Sequence, residues 1–330
     1  MIITQTPLRI SFAGGGTDFK EFYSHEEGWV VSSAIDKYVL VIVKERFDDK
    51  IYINYSKKEI VDYVDEIEHE LVREAMKKTG VEKGVEITTL ADIPSEGSGL
   101  GSSSSVTVGL LNALHLWTGE PQPPRVLAEE ACEIEIDLCK KPIGRQDQYI
   151  AAFGGIRFFR FKSDGRVEVE KVCLNGTESR RRLGANVLLF YTDQTRRSDP
   201  ILAEQRENIA GKFPILQRMK QQALEVHKYL VQDQLDKVGE VLAETWELKK
   251  QLASGISDGE IDTMYEKAMK SGALGGKICG AGGGGFLMVY VPREKQNAVR
   301  EALRGYREFP FMLERDGSKV IFDNRRYDLK

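Results

Sequence analysis

Cysteine and histidine are scarce, four of each in 330 residues. Cys132, Cys139, Cys173 and Cys279 are scattered and no CxxC pair occurs. Reduced thiols and a cytoplasmic protein are the expectation. His25, His69, His115 and His227 show no metal-ligand spacing, and no Ser–His–Asp arrangement is visible. An excess of charge is also missing. Lys and Arg total 47 against 51 Asp and Glu, a net charge of −4. That balance excludes a strongly basic nucleic-acid binder, although a local basic groove stays open. No apolar run approaches the roughly 18 residues of a membrane span, so no membrane partner is expected. The opening MIITQTPLRISFAGGG has no basic segment leading into an apolar one, so no signal peptide is expected. No GxxxxGK[ST] occurs, which excludes a Walker A loop, and the cluster at Gly97 to Gly101 reads GSGLGS and not GxGxxG, so it leaves the dinucleotide fingerprint unmet.

What the chain does hold is an ordinary globular composition, 41% hydrophobic and 30% charged. At roughly 150 residues per domain, the length suggests about two domains with real cores. The first fifty residues are strand-rich. Tyr38 to Glu45 is a β-branched apolar run, and Lys50 to Tyr55 is a second short strand. Residues 57 to 80 space Ile60, Tyr63, Val64, Ile67, Leu71 and Ala75 as an amphipathic helix ended by Gly80. Val85 to Leu90 predicts a strand, residues 124 to 140 a helix, and residues 154 to 171 a hairpin turning at Ser163-Asp164-Gly165. The polar, basic stretch Glu178 to Leu183 places a domain boundary near residue 180, giving domains 1–180 and 181–330. The second part predicts a strand at Val187 to Tyr191, helices over 199–253 and 258–271, and a strand at Phe286 to Val291. A helix over 293–305 and a strand over 319–323 end it.

Glycine is informative by its grouping, in clusters at Gly14 to Gly16, at Gly97, Gly99 and Gly101, and at Gly280 to Gly285. Glycine loses backbone entropy and packs nothing, so clusters persist where the backbone approaches something closely or needs φ > 0. The middle cluster follows a strand and opens a helix. A glycine loop there aims free N–H groups and the positive end of the helix dipole at one point, and phosphate is the usual guest. Ser102 to Ser105 can cap that helix, touch phosphate or hold Mg²⁺. A plain serine N-cap after a flexible turn is the competing reading. The third cluster has five glycines among six residues before a strand, more than a tight turn needs.

These segments carry a resemblance. PSEGSGLGSSSS (Pro94 to Ser105) resembles the phosphate loop of the GHMP small-molecule kinases. TPLRISFAGGGTDF (Thr6 to Phe19) resembles their N-terminal substrate motif, and GGKICGAGGGGFLMV (Gly275 to Val289) their third motif. All three stand in the family's order. Within the family, PLRISFAGGGTD and GRQDQYIAAFGG (Gly144 to Gly155) are most similar to the heptose 7-phosphate kinases, except that Arg145 stands where lysine is usual. The two cations differ in geometry, so a different substrate is open if this position grips a sugar phosphate. The resemblance implies an α+β fold: an α+β N-terminal domain and a ferredoxin-like C-terminal domain, with the active site in the cleft between them.

It also implies a role for each matching residue, in a chemistry that needs aligned reactants, neutralised charge and a deprotonated hydroxyl. Asp147 matches the catalytic aspartate, the base toward a sugar hydroxyl. A neighbouring cation such as Arg9 keeps a carboxylate charged, so Asp147 would orient the hydroxyl and accept its proton late. Arg9 would steady Asp147 and the moving phosphoryl group. Gly97, Ser98, Gly99, Leu100, Gly101, Ser102, Ser103 and Ser104 would bind the nucleotide. Gly15, Gly16, Thr17, Asp18, Arg145, Arg196, Gly282 and Gly283, with Arg9 and Asp147, would bind the acceptor. Ser103 and Glu135 would hold Mg²⁺, with Glu133 the rival ligand on a different helix face. Lys140, Lys141 and Arg197 join Arg145 and Arg196 as candidates for a substrate phosphate. On the residues alone, Asp147 is a loop carboxylate, Arg9 half of a surface pair, Asp18 an Asx turn or helix cap, and each remaining cation a solvated side chain.

The implied activity is an ATP- and Mg²⁺-dependent sugar kinase that phosphorylates the anomeric hydroxyl of a heptose 7-phosphate. A kinase for L-fucose or galactose, and a non-catalytic sugar and ATP sensor on the same fold, are the alternatives.

Overall fold

A computed structural model describes residues 1–93, 97–194 and 198–325. The chain opens with β1 (Ile2–Ala13), a short helix α1 (Lys20–Tyr23) and the long β2 (Gly28–Glu45). β3 (Ile51–Asn54), β4 (Lys58–Val61), α2 (Glu70–Thr79) and β5 (Val85–Ala91) follow. Three helices come next, α3 (Ser102–Thr118), α4 (Pro124–Cys132) and α5 (Gln146–Phe153), then the hairpin β6 (Ile156–Phe161) and β7 (Val167–Lys171). The remainder runs through α6 (Gly176–Asn186), β8 (Val187–Tyr191), α7 (Ser198–Asn208), α8 (Phe213–Val231), α9 (Leu235–Lys249) and α10 (Gly259–Lys270). It ends with β9 (Gly275–Ile278), β10 (Phe286–Tyr290), α11 (Gln296–Ala302) and β11 (Lys319–Asp323). The architecture is α+β.

The larger sheet runs β11-β1-β2-β5-β3-β4, with β6 and β7 added on β2. β2 is long enough to serve two partners: Gly28 to Ser33 pair with β6, and Val39 to Glu45 pair with β5. β1 alternates across the sheet. Leu8, Ile10 and Phe12 are fully buried on one face, which puts Arg9 and Ser11 on the other. Helix α3 is apolar nearly all round, with Val108, Leu110, Leu111, Ala113 and Leu114 fully buried, as a helix covered on every side must be. It packs closely on the sheet. A Cβ on Gly109 would come within 2.8 Å of the Thr6 hydroxyl.

The second sheet is antiparallel, β8-β10-β9, with Leu287, Met288, Val289 and Tyr290 of its central strand fully buried. Helix α6 runs over residue 180, where the sequence suggested a boundary, and β11 returns from the C-terminal end to pair with β1.

The amphipathic helix expected over 57–80 is shorter than its pattern. It forms only from Glu70, and β4 takes residues 58–61 as the antiparallel partner of β3. The apolar spacing misled because Ile60 and Tyr63 face solvent, 49% and 71% exposed. Buried Glu59 accepts the backbone N–H groups of Glu68 and His69, which fixes the chain just before α2. The helix expected over 124–140 is α-helical to Cys132 and then winds as a π-helix over Glu133–Leu138.

Candidate active site

Glycine clusters far apart in sequence meet here. Gly99 has φ +72°, and a Cβ on it would stand 2.5 Å from the Cys279 carbonyl oxygen. A Cβ on Gly280 would stand 2.6 Å from the Gly99 Cα. The 97–101 loop and the 279–285 loop therefore lie backbone against backbone, a packing that only glycine allows.

Two adjoining cavities open beside this contact. The first is lined by Gly97, Ser98, Gly99, Gly101 and Ser102 to Ser104, and closed by Gly280 to Gly282 and Gly284. Helix α3 starts at its floor. Its N-cap is Gly101, and no side chain caps its first turn, so the leading N–H groups are free for an anion. The Ser102 hydroxyl, which lines the same cavity, is buried without a hydrogen-bond partner. Leu100 is fully buried, and its carbonyl instead accepts the Arg9 backbone N–H at 2.9 Å.

The second cavity is lined by Ser11, Gly15, Gly16, Asp18, Gly144 and Gln146 on one wall, and by Leu202, Gln205, Lys249, Leu252 and Lys277 on the other. Asp18 is 1% exposed. Its carboxylate accepts the backbone N–H of Gly16 at 3.0 Å and that of Gln146 at 3.1 Å. Burial first, and the Asp147 charge second, push its pKa up. Gly144 is a glycine for this reason, since a Cβ there would collide with the Asp18 carboxylate.

Arg9 and Asp147 line both cavities. Asp147 sits in the first turn of α5. Arg9 Nε and Nη2 donate to its two carboxylate oxygens at 2.7 and 2.6 Å, a bidentate fork, and Arg9 Nη1 donates to the Gly99 carbonyl. Burial works against the Arg9 charge, but Asp147 more than offsets it and the guanidinium pKa is raised. Asp147 keeps 24% of its side chain exposed, so the carboxylate remains reachable.

Behind the serine turn lies Glu135, fully buried. Ser103 and Ser104 each donate to it at 2.7 Å, and Gln148 Nε2 donates at 2.6 Å. Burial raises its pKa, against the pull of Lys141 and these hydrogen bonds. The π-helix brings Glu135 inward while Glu133 faces out and pairs with Lys78 at 2.6 Å. π-helical turns of this kind recur at functional sites. Among the described residues no three His, Cys, Asp or Glu side chains cluster as a metal site. A cation here would rest on one carboxylate, one hydroxyl and a ligand's own oxygens, a donor set that suits Mg²⁺.

Several expected residues stand elsewhere. Thr17 is buried and bonds locally to the Gly14 carbonyl and the Trp29 backbone. Gly283 donates to the Ile256 carbonyl. Arg145 does not line the acceptor-side cavity: it donates to the Gly165 carbonyl at 2.6 Å and lies over the rings of Tyr23 and Tyr149. Lys140 is exposed, and Lys141, away from the acceptor-side cavity, pairs with Glu70 at 3.3 Å and donates to the Ser103 hydroxyl at 3.3 Å beside the serine turn. Arg196 and Arg197 lie outside the described residues. The reading of the sequence missed Ser11, Gln148, Lys249 and Lys277. The last two carried a signal: Lys249 continues the buried face of α9 after Leu242, Thr245 and Trp246, and Lys277 stands inside the third glycine motif.

Comparison with known proteins points to one family. Residues 69–155 match the GHMP kinases N terminal domain, and residues 226–307 match the GHMP kinases C terminal domain. The D-glycero-alpha-D-manno-heptose 7-phosphate kinase of Campylobacter jejuni is 33% identical over 95% of this chain and 97% of its own. The galactokinase of Pyrococcus furiosus is 28% identical over 92% of both chains. A crystal structure of a D-glycero-D-manno-heptose 1-phosphate kinase from Bacteroides thetaiotaomicron shares the fold with a TM-score of 0.83, at 24% identity over 98% of this chain and 100% of that one.

Proposed function

The chain belongs to the GHMP kinase family, and from that premise we propose that it transfers the terminal phosphoryl group of ATP to the anomeric hydroxyl of D-glycero-D-manno-heptose 7-phosphate. The products are the 1,7-bisphosphate and ADP. One observation carries the reading: the Arg9–Asp147 fork stands where a glycine- and serine-lined cavity meets a cavity walled by Asp18.

The uncapped first turn of α3 and the Ser102 hydroxyl receive the triphosphate, and Asp18 accepts hydrogen bonds from sugar hydroxyls. The sugar hydroxyl approaches Asp147. Its oxygen bonds to the terminal phosphorus while the bridge to the β-phosphate breaks. Asp147 takes the proton, and Arg9 stabilises the charge spread over the moving phosphoryl oxygens. Ser103 and Glu135 hold Mg²⁺, which when bound neutralises phosphate charge. No helix among the described residues is long and apolar enough to cross a membrane, and a cytoplasmic location suits a kinase that draws on ATP.

The test is phosphorus NMR on mixtures of ATP, Mg²⁺ and a panel of free and phosphorylated sugars. The proposal expects a new anomeric phosphate signal with the heptose 7-phosphate. Transfer only to free L-fucose or galactose would move the enzyme to another sugar. Binding of ATP and sugar with no transfer would make the protein a sensor.

A further inference from the structure

Arg9 has its counter-ion in Asp147, but two other buried cations on the acceptor-side cavity have none among the described residues. Lys277, on β9, is 5% exposed, and Lys249, the last residue of α9, is 7% exposed. Lys249 donates to the carbonyls of Ile278 and Gly280 at 2.8 and 2.6 Å. Among the described residues no carboxylate stands close enough to either lysine to support its charge. Burial lowers both pKa values, that of Lys277 to about 8, and like-charge repulsion from Arg9 adds to it. Across the cavity, Ser11 lies two residues along β1 from Arg9, on the same strand face, and its buried hydroxyl has no hydrogen-bond partner.

Folding tolerates a buried charge when function supplies its partner. Lys249 and Lys277 line the cavity beside Asp18 and not the glycine–serine cavity, so their charge is presented to the acceptor and not to the nucleotide. Counting Arg9, three cations face this cavity against the carboxylates of Asp18 and Asp147. The excess of one positive charge, with both lysines unpaired, is what an anionic group on the acceptor would meet.

We propose that Lys277, with Lys249 and Ser11, grips the phosphate group that the acceptor sugar already carries, and so selects a sugar phosphate over the free sugar. The assignment rests on the kinase reading above and deepens it. It also moves the phosphate contact from Arg145, which is committed to the β6–β7 hairpin and its aromatic neighbours, to the opposite wall. The phosphate supplies the missing counter-charge, and its oxygens accept from the two ammonium groups and the Ser11 hydroxyl. A free sugar would leave both lysines uncompensated, so discrimination comes from the empty subsite as much as from the filled one.

Calorimetric binding without ATP tests this apart from catalysis. The ligands are D-glycero-D-manno-heptose 7-phosphate and the unphosphorylated heptose, and the proteins are the wild type, Lys277→Met and Ser11→Ala. The wild type should bind the phosphorylated sugar at least ~100-fold more tightly. Lys277→Met should cut that ratio below ~10-fold, and Ser11→Ala should lower it by a few-fold. Lys277→Met should also stay folded, because a methionine of similar size removes an unpaired buried charge. Equal loss for both sugars, or an unchanged ratio, overturns the proposal. So does a wild type that binds both sugars alike. Tight, lysine-dependent binding of the sugar phosphate with no phosphoryl transfer would uphold the subsite and defeat the kinase reading instead.

Discussion

Replacing Lys277 by methionine isolates the cost of holding an unpaired ammonium in the protein. The side chain is buried and its pKa falls from an ordinary 10.5 to about 8. At 1.36 kcal/mol per pKa unit, that depression amounts to about 3 kcal/mol of lost stability. The sign follows from proton binding: below pH 8 the lysine is charged in both states, and only the folded one is penalised. As the pH rises from 8 toward 10.5 the folded form sheds its proton first, and the penalty fades. The titratable groups facing Lys277 are Arg9 from β1, Lys249 from α9 and Cys279, two residues along the chain. None of them relieves the cost at neutral pH. Unfolding entropy for a chain of this length is about 0.7 kcal/mol/K, so Lys277→Met should melt about 4 °C above the wild type at pH 7. The gap should close by about pH 10.5. Differential scanning calorimetry across pH 6.5 to 10.5 reads both effects. A variant that melts below the wild type at pH 7, or a gap that ignores pH, would refute the reasoning.

Two further substitutions probe the nucleotide side. Glu135→Gln keeps the shape of a fully buried side chain that accepts from Ser103, Ser104 and Gln148. It should cost no more than ~2 kcal/mol in stability while removing most of the Mg²⁺ dependence of ATP binding. Fluorescence titration with and without Mg²⁺ checks this, and an unaltered Mg²⁺ dependence would count against Glu135 as a ligand. Gly99→Ala forces a Cβ to 2.5 Å from the Cys279 carbonyl oxygen, at φ +72°. Gly84→Ala has a similar φ of +70° but open space around it. The second should cost about 1 kcal/mol, the first at least ~2 kcal/mol more together with ATP affinity. Equal losses in urea unfolding would mean that the two glycine loops do not need their close approach.

The sequence reads well where a local pattern and the tertiary packing agree. The apolar run of β2, the Gly165 hairpin and the glycine-to-serine helix start are visible because each rests on residues within a few positions of one another. The stretch 57–80 fails for the opposite reason. Its helical spacing is outweighed by the need of β3 for an antiparallel partner, a demand that no local window contains. The site divides in the same way. Arg9, Asp18, Ser103 and Asp147 stand in motifs, Glu135 stands out by its spacing of twelve residues before Asp147, and the fold draws them together. Which carboxylate of Glu133 and Glu135 turns inward depends on a π-helical winding that a 3.6-residue period does not anticipate. Lys249 and Lys277 escaped because a lysine on an apolar helix face or strand stands out only once its burial and its lack of a counter-ion are known. Arg145 misled because adjacency in sequence to Asp147 is not adjacency in the cavity.

The arrangement depends on Asp147 acting between the two cavities while Arg9 holds it in place. Asp147→Asn preserves the size of the side chain and one acceptor for the Arg9 fork, yet removes the proton acceptor. Single-turnover transfer from γ-labelled ATP to the sugar phosphate, run beside ATP titration of the same protein, separates the two contributions. The account predicts ATP affinity within about threefold of the wild type and transfer slowed by at least ~10³-fold. Transfer at the wild-type rate would contradict it.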